Sequence, residues 1–293
     1  MVFDLSNGFV SGVIDTHGGE MVCLRDGAGT EYIWSGDPAY WAGRNPILFP
    51  IVGTLRNSAA RFRGRDISLS RHGFARDMEF AVVQQGSDFA RLELCQSAET
   101  LERYPWSFRL LVEHRLTADG FSTQFTVENP GTEPMPFCIG AHTAYRCPLH
   151  EGERFDDYRL IFDQPETAPA IPIGPDGLLL HGKGVDILHG GDTIELCHDI
   201  FDRADTLIFD GLRSHGVRLV HRNTGHGVHV DFDGFPMVGF WTMPGKQAPY
   251  ICIEPWQGCS SFDNDTGDFA AKPHCVVLAP GETRRWQYTV RIL

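Results

Sequence analysis

Apolar and polar positions alternate with a period of two in several stretches of the chain. The clearest alternation covers residues 108–116, and the same pattern returns in 121–129 and in the C-terminal 284–293. Successive side chains of a β-strand point to opposite faces, so each stretch predicts a strand with one buried face. The residues TADG between the first two stretches predict a hairpin turn, and we expect these two strands to pair antiparallel.

Shorter runs rich in β-branched and aromatic residues extend this prediction over most of the chain. They cover residues 80–84, 90–95, 206–209, 216–221, 228–233, 237–242 and 250–254. No stretch has a long amphipathic helical period with capping signals, and strands do not alternate with helices, which excludes a doubly wound α/β fold. The predicted fold class is therefore all-β.

The Pro- and Gly-rich segment 163–191 is a candidate boundary between domains. Its composition predicts a long loop with short extended pieces, and an interdomain linker is the alternative. Strand patterns of the same character continue on both sides of the segment, so neither flank looks independent. A large β-sandwich often uses such a length as one unit, and we expect a single domain over residues 1–293.

Composition indicates a folded protein with a sizeable core, because 42% of the residues are hydrophobic and 22% are charged. Lys plus Arg number 25 against 38 Asp plus Glu, a net charge of −13, so nucleic acid is not an expected partner. The N-terminus lacks a signal-peptide pattern and no run of about 18 apolar residues occurs, so we expect no membrane partner and a cytoplasmic location. The eight cysteines form no closely spaced pairs, which favours buried free thiols.

Four stretches carry polar or ionisable groups where the surrounding pattern predicts core or tight turn. They are residues 43–58, 69–80, 138–149 and 249–264. In the last stretch Glu254 stands in the apolar run PYICIEPWQG, where an ionised carboxylate is costly to desolvate. An apolar surround raises the pKa of a carboxyl group towards neutrality, which suits a group that must both accept and return a proton.

The same four stretches contain LFPIVG, HGFARD, GAHTAYRCP and CIEPWQG in this order. Together with the opening GFVSGVIDTHGGEMVCLRDGAGTEYIWSGDPAYW, they make nearly the whole chain similar to the aldose 1-epimerase (galactose mutarotase) superfamily, and within it to the LacX-like and hexose-6-phosphate 1-epimerase-like branches. The resemblance implies a large twisted antiparallel β-supersandwich with a sugar on its concave face. It also implies interconversion of the α and β anomers of a free hexose or a hexose 6-phosphate through the open-chain aldehyde, without a cofactor.

Two residues of these motifs are expected to carry the proton transfers. Carried over from the family, Glu254 is the general base for the C1 hydroxyl and His142 is the general acid for the ring oxygen. Opening a hemiacetal needs a base at one of the two oxygen atoms bonded to C1 and an acid at the other. Each placed group contributes on the order of 10² to 10⁴ in rate. The alternatives are a solvent-facing Glu254, on the same strand face as Cys252, and a hydrogen-bonded core or surface His142.

Further substrate contacts follow from the resemblance. His72 corresponds to a family histidine that contacts the sugar near the ring oxygen or C1, and a turn histidine is its alternative. Arg76 and Arg56 are candidates for sugar hydroxyls or for a phosphate, because a guanidinium fork matches an oxyanion. A shifted alignment would put Arg44 or Asn45 in the place of Arg56, and ordinary surface arginines are the alternative for both.

An acidic residue and two tryptophans complete the expected site. Asp205, in the segment DTLIF, resembles a family residue that hydrogen-bonds sugar hydroxyls, although Asp202 and Asp210 are close enough to take this role. Trp241 and Trp256 are potential stacking platforms for the apolar face of a pyranose, with core packing as the alternative.

Competing chemistries lack their required patterns. HGKGVD and TGHGVH do not have the spacing of a phosphate-binding loop. His226 and His229 lie three apart and would point to opposite faces of a strand, so no metal site is expected. The alternative to an enzyme is a non-catalytic carbohydrate-binding protein of the same fold, which need not keep both His142 and Glu254. No sequence pattern identifies a partner surface, so both a monomer and a homodimer are compatible with the sequence.

Overall fold

The computed structural model describes residues 1–293, and β-strands dominate it. The strands are β1 (Val2–Ser6), β2 (Ser11–Asp15), β3 (Glu20–Arg25), β4 (Ile47–Leu48), β5 (Ala59–Phe62), β6 (Arg65–Ser68), β7 (Ala81–Gln85), β8 (Phe89–Cys95), β9 (Arg109–Leu116), β10 (Gly120–Glu128), β11 (Met135–Phe137), β12 (Ile139–Ala141), β13 (Thr143–Arg146), β14 (Tyr158–Phe162), β15 (Thr193–Glu195), β16 (Thr206–Asp210), β17 (Gly216–His221), β18 (Gly227–Asp231), β19 (Met237–Trp241), β20 (Tyr250–Gln257), β21 (Val276–Leu278) and β22 (Thr283–Ile292). The helices are α1 (Ala98–Arg103), α2 (His198–Ala204) and four single 3₁₀ turns at Arg56–Ser58, Ala75–Asp77, Phe155–Asp157 and Phe269–Ala271.

Two large antiparallel sheets form the body of the protein. The first has nine strands in the order β15-β14-β17-β18-β22-β10-β9-β8-β7. The second has six strands, with β16-β19-β20-β12-β4 in sequence across the sheet and β13 also paired with β20. The predicted hairpin is present as β9 and β10, in which Phe121 lies opposite Leu116. Smaller sheets are formed by β1-β2-β3, by β5 with β6 and by β11 with β21.

The inner faces of the two large sheets contact each other and enclose the main apolar core. Phe162 of β14 packs against Phe240 of β19, with ring centroids 5.6 Å apart. Near the centre of the core, the hydroxyl of Tyr288 in β22 lies 3.2 Å from Oγ1 of Thr143 in β13. Burial of each large apolar side chain contributes about 1.5–3 kcal/mol, so this interior is the main source of stability.

A second, smaller aromatic cluster covers the opposite face of the six-stranded sheet. Alternation along β20 directs Ile251 and Ile253 into the main core and directs Tyr250 and Cys252 to the other side. There the ring of Tyr250 lies 4.9 Å from the ring of Trp34. Both faces of β20 are therefore buried, and the candidate site lies on the second of them.

The all-β prediction is confirmed, since each predicted strand coincides with an observed one. The two short helices were not predicted; α1 is only six residues long and is held by a capping box between Ser97 and Thr100. Segment 163–191 contains no helix or strand, as expected of a loop. All eight cysteines are free; five are buried, whereas Cys197 and Cys275 are partly buried and Cys95 is exposed. None of the helices has the length and apolar character needed to cross a membrane.

Candidate active site

A cavity of about 200 Å³ opens on the second face of the six-stranded sheet. Its wall contains six of the eight residues for which the sequence predicts a role, namely His72, His142, Asp205, Trp241, Glu254 and Trp256. The other two, Arg56 and Arg76, are not part of the wall.

His142 and Glu254 are brought together by strand pairing. His142 is the single residue between β12 and β13, and both of these strands pair with β20, which carries Glu254. Thr143 lies opposite Ile253 in this antiparallel register, so His142, which precedes Thr143, is a neighbour of Glu254, which follows Ile253. Nε2 of His142 lies 3.2 Å from Oε2 of Glu254.

Burial controls the protonation of this pair, since His142 is 8% exposed and Glu254 is 1% exposed. Burial raises the pKa of Glu254 well above its usual 4.5, and Asp205 raises it further. Burial also lowers the pKa of His142 from 6.5 to about 3. Burial therefore disfavours the charged form of both groups, which favours a protonated carboxyl group beside a neutral imidazole.

Three buried polar atoms of the cavity wall have no hydrogen-bond partner in the protein. They are Nδ1 of His142, Oε2 of Glu254 and Nε1 of Trp256, so the contact between His142 and Glu254 lacks hydrogen-bond geometry. Buried polar atoms are almost always paired, because an unpaired one costs free energy. Three unpaired atoms in one wall indicate a place where a polar ligand completes the hydrogen bonding.

His72 is held in a tight turn with its ring in the cavity wall. Its φ of 68° lies in the left-handed region, and Nδ1 accepts a hydrogen bond of 3.1 Å from the backbone N–H of Gly53. Burial, with His142 as the next cause, lowers the pKa of His72 well below 6.5. The ring is therefore neutral with its proton on Nε2, which is a hydrogen-bond donor. Gly53 is required here, because its φ is 68° and an added Cβ would lie 1.9 Å from Oγ of Ser260.

Asp205 is the one of the three candidate aspartates that lies in the cavity wall. It follows α2 with a φ of 61°, and its Oδ1 accepts a hydrogen bond of 2.7 Å from Thr206. Asp202 instead accepts a backbone N–H, and Asp210 pairs with His274 at 2.8 Å.

The cavity wall contains one arginine, Arg71, which the sequence reasoning missed although it directly precedes His72. Its Nε donates to Oγ1 of Thr54 at 3.1 Å. Arg76 donates to the carbonyl oxygen of Arg71 at 3.0 Å, so it supports the turn that carries Arg71. Arg56 is exposed and donates to the backbone of Asp265 at 3.1 Å.

Arg44 and Asn45, the alternatives to Arg56, also lie outside the cavity wall. Asn45 is buried, and its Oδ1 accepts hydrogen bonds from Thr143 at 2.7 Å and from Tyr288 at 3.3 Å. This arrangement fixes the start of β13 beside His142.

Three indole rings contribute to the wall. The ring of His142 lies 5.0 Å from that of Trp41 and 5.6 Å from that of Trp241. Trp256 packs against Gly239 of β19, where an added Cβ would lie 2.8 Å from the indole. The two predicted tryptophans are therefore both in the wall, and Trp41 is an addition for which no sequence signal had been recognised.

The loop 163–191 also reaches the site. Ile173 lies in the cavity wall, and Leu179 forms an isolated bridge to Phe262. Nothing in the composition of this segment pointed to such a role, because the contact depends on how the loop folds back onto the sheet.

Cys252 is close enough to His142 and Glu254 that their donor atoms lie within 4.8 Å of one another. A metal ion would require the thiolate form, and burial, with Glu254 as the next cause, raises the pKa of the Cys252 thiol well above 9.0. The trio therefore fits an acid–base site better than a metal centre.

Antiparallel sheets around a small polar cavity, with indole rings and one acid–base pair in its wall, are typical of proteins that bind sugar rings. The chain belongs to the aldose 1-epimerase family, whose sequence model it matches over residues 1–291. It is 35% identical over 300 residues to the chromosomal protein LacX of Lactococcus lactis subsp. lactis, with 100% of each chain covered.

Two solved structures are similar over their whole length. The galactose mutarotase related enzyme from Lactobacillus acidophilus is 29% identical, with a TM-score of 0.95 over 100% of this chain and 97% of that one. The galactose mutarotase-like protein from Lactobacillus casei ATCC 334 is 29% identical, with a TM-score of 0.93 and 100% of both chains covered. The family resemblance and the predicted fold are confirmed, and together they support mutarotase-like isomerase activity on a sugar.

Proposed function

We propose that the protein interconverts the α and β anomers of a free aldose by acid–base opening and reclosure of the sugar ring. The observation that supports this most strongly is the contact of 3.2 Å between Nε2 of His142 and Oε2 of Glu254 in a cavity lined by indole rings. A neighbouring acid and base are what ring opening requires, since the C1 hydroxyl must lose a proton while the ring oxygen gains one.

One shared proton is enough for the cycle. A rotation of the Glu254 carboxyl group would align the contact of 3.2 Å for transfer, and moving the proton from Glu254 to His142 produces a carboxylate base and an imidazolium acid. Glu254 then takes the proton of the C1 hydroxyl, the C1–O5 bond breaks, and His142 protonates the ring oxygen. After rotation about C1–C2, the reverse transfers close the ring on the other face of the aldehyde: Glu254 protonates the carbonyl oxygen and His142 takes the proton of the C5 hydroxyl. The pair ends with the proton it started with.

The remaining wall residues bind the sugar in this proposal. The Nε2–H of His72 donates to an oxygen near C1, the carboxylate of Asp205 accepts from ring hydroxyls, and Trp241 packs against the apolar face of the pyranose. Arg76 acts through the turn of Arg71 rather than by contact. No substrate contact is assigned to Arg56.

The charges of the wall favour a neutral substrate. Arg71 is the one guanidinium in the wall, and the carboxylate of Asp205 lies in the same wall. A phosphate monoester carries about −1.5 to −2 charges near neutral pH and is ordinarily matched by several cationic donors. A free aldose is therefore the first candidate, and a hexose 6-phosphate is the second.

The test is anomer exchange measured by two-dimensional NMR on glucose, galactose and glucose 6-phosphate, each with and without the protein. We expect faster exchange for a free hexose. Arg71→Gln should raise the KM for that hexose, whereas Arg56→Gln, which removes the same charge outside the cavity, should not. Exchange confined to the 6-phosphate would make the substrate assignment wrong while leaving the reaction type intact.

A carbohydrate-binding protein without catalysis gives a different pattern. Sugar would quench tryptophan fluorescence, because indole rings line the cavity, yet no sugar of the panel would exchange its anomers faster. That combination would overturn the proposed function.

A further inference from the structure

A second group of metal-ligating side chains lies outside the cavity. It consists of His150 and Glu153, in the loop after β13, and His226, in the turn between β17 and β18. One donor atom from each residue lies within 4.8 Å of the others. None of the three lines the candidate active site.

The hydroxyl of Thr224 lies between the Nδ1 atoms of two histidines. Its Oγ1 is 3.0 Å from Nδ1 of His221 and 2.6 Å from Nδ1 of His226. The backbone N–H of Thr224 also donates to Nδ1 of His221, so that nitrogen is an acceptor. When His226 carries its proton on Nδ1, this N–H donates to the hydroxyl oxygen of Thr224, and the lone pair of Nε2 is available to a metal ion.

Glu153 presents a second acceptor to this lone pair. Its Oε2 accepts hydrogen bonds from the hydroxyl of Tyr158 and, at 3.1 Å, from the backbone N–H of His150. Its Oε1 lies 3.1 Å from Nε2 of His226. Nε2 of His226 also lies 3.0 Å from the hydroxyl of Tyr158. When the proton of His226 is on Nδ1, a metal ion between Nε2 of His226 and Oε1 of Glu153 would give both atoms a partner.

We propose that His226 Nε2, Glu153 Oε1 and the imidazole of His150 bind a divalent transition metal ion of the zinc class. Ligand atoms bound to tetrahedral zinc lie about 3.3–3.4 Å apart, so the observed 3.1 Å requires only a small shift. The ring of His150 is exposed and lies edge-on at 4.7 Å from the ring of His226. Three protein ligands leave the fourth position to water.

Two partners outside the ligand set hold the ligands in place, as is common around protein-bound metals. Tyr158 donates to the oxygen of Glu153 that would not bind the ion, and Thr224 contacts Nδ1 of His226, the ring nitrogen that would not bind it. The ion would connect the loop after β13 to the turn between β17 and β18. Because the cluster shares no residue with the cavity, we expect metal binding to raise the thermal stability and to leave catalysis unchanged.

The test is titration of the untagged, chelator-dialysed full chain with ZnCl₂ by isothermal calorimetry. We expect one zinc ion per chain and a higher Tm with zinc. Both effects should be absent from the double variant His150→Ala/His226→Ala. Thr224→Val, a milder change on the surface, should weaken binding by about 10- to 100-fold. His215→Ala is the matched control, since His215 is an exposed histidine paired with Asp233 at 2.9 Å, and it should bind zinc as the wild type does.

Three results would overturn the proposal. One is the absence of zinc binding to a folded wild-type chain. The second is binding that survives in the double variant but is lost in Cys252→Ser, which would place the ion beside the candidate active site. The third is ¹⁵N NMR showing both ring nitrogens of His226 protonated at about pH 8 in the presence of zinc, which would mean that a proton occupies the gap.

Discussion

The substitution Glu254→Gln separates proton transfer from every other property of the candidate base. Glutamine keeps the shape and volume of the buried side chain, but it cannot accept a proton. We expect kcat to fall by about 10²- to 10⁴-fold, which is about 2.7–5.4 kcal/mol of barrier. KM should change much less, because the amide still offers an oxygen and an N–H at the same place.

Glu20→Gln is the matched control. Burial raises the pKa of the Glu20 carboxyl to about 7, so both glutamates have a raised pKa, although Glu20 is partly exposed and Glu254 is buried. Glu20 lies outside the cavity wall, and its Oε2 accepts a hydrogen bond of 3.1 Å from the backbone of Asn45, which a glutamine oxygen can also accept. Glu20→Gln should therefore keep a rate close to that of the wild type.

The assay is polarimetry of freshly dissolved α-glucose or α-galactose, with the spontaneous rate subtracted, and urea unfolding checks the fold. The pKa of Glu254 in the folded state lies well above 4.5, so its ionisation at rising pH costs stability in the wild type. Glu254→Gln lacks this cost and should be at least as stable at about pH 8. Near-wild-type activity of Glu254→Gln, or an equal loss in Glu20→Gln, would refute the reasoning.

Three further predictions follow from the structure. Protonated Glu20 stabilises the fold fully below pH 4.5, and this contribution of about 3 kcal/mol is lost as pH rises to about 7. In urea unfolding, Glu20→Gln should lack this loss of stability with rising pH. A pH dependence equal to that of the wild type would contradict the prediction. His142→Asn should lower kcat by at least about 100-fold. Because the pKa of His142 is lowered to about 3, the kcat/KM of the wild type should not decline as pH falls through about 6.5. A decline with that midpoint would argue against a buried His142. Gly53→Ala should lower the free energy of unfolding by about 1–3 kcal/mol more than Gly64→Ala, and should therefore lower the Tm more. Both glycines have a positive φ, but only a Cβ at position 53 would meet Ser260; equal Tm values would exclude the clash.

Alternation predicted β9, β10 and β22 because each has one buried face and one more exposed face. In β9 the burial follows the sequence residue by residue, with Leu110, Val112 and His114 buried and their neighbours partly exposed. The short helix α1 gave no such signal, since six residues are fewer than two turns. Its stability comes from a cap and from packing rather than from a period in the sequence.

The burial of the β20 face that carries Glu254 could not be predicted from alternation. Every residue from Tyr250 to Trp256 is buried, because one face meets the main core and the other meets the smaller aromatic cluster. The pattern correctly placed Glu254 with Cys252, but it did not show that a second cluster covers this face. The deciding residues, Trp34 and Trp41, lie in a distant part of the chain.

The residues that reach the cavity wall from loops were not predicted either. Arg71, Trp41 and Ile173 reach the cavity wall from three segments outside the strands. Their positions depend on long-range contacts such as the hydrogen bond from Arg71 to Thr54. Spacing within a motif does not encode such contacts, whereas residues next to paired strands, such as His142, follow from the register.

The burial of the acid–base pair connects its two proton transfers. Ring closure is the reverse of ring opening, so the acid and the base must exchange roles within each turnover. An exposed carboxylate and imidazole would titrate separately, each near its ordinary pKa. In the cavity, burial disfavours the charged form of both groups, and removing the shared proton would leave an isolated buried charge. The low exposure of His142 and Glu254, together with the 3.2 Å between them, therefore keeps one proton in the pair and makes its movement between the two groups the step on which the proposed reaction depends.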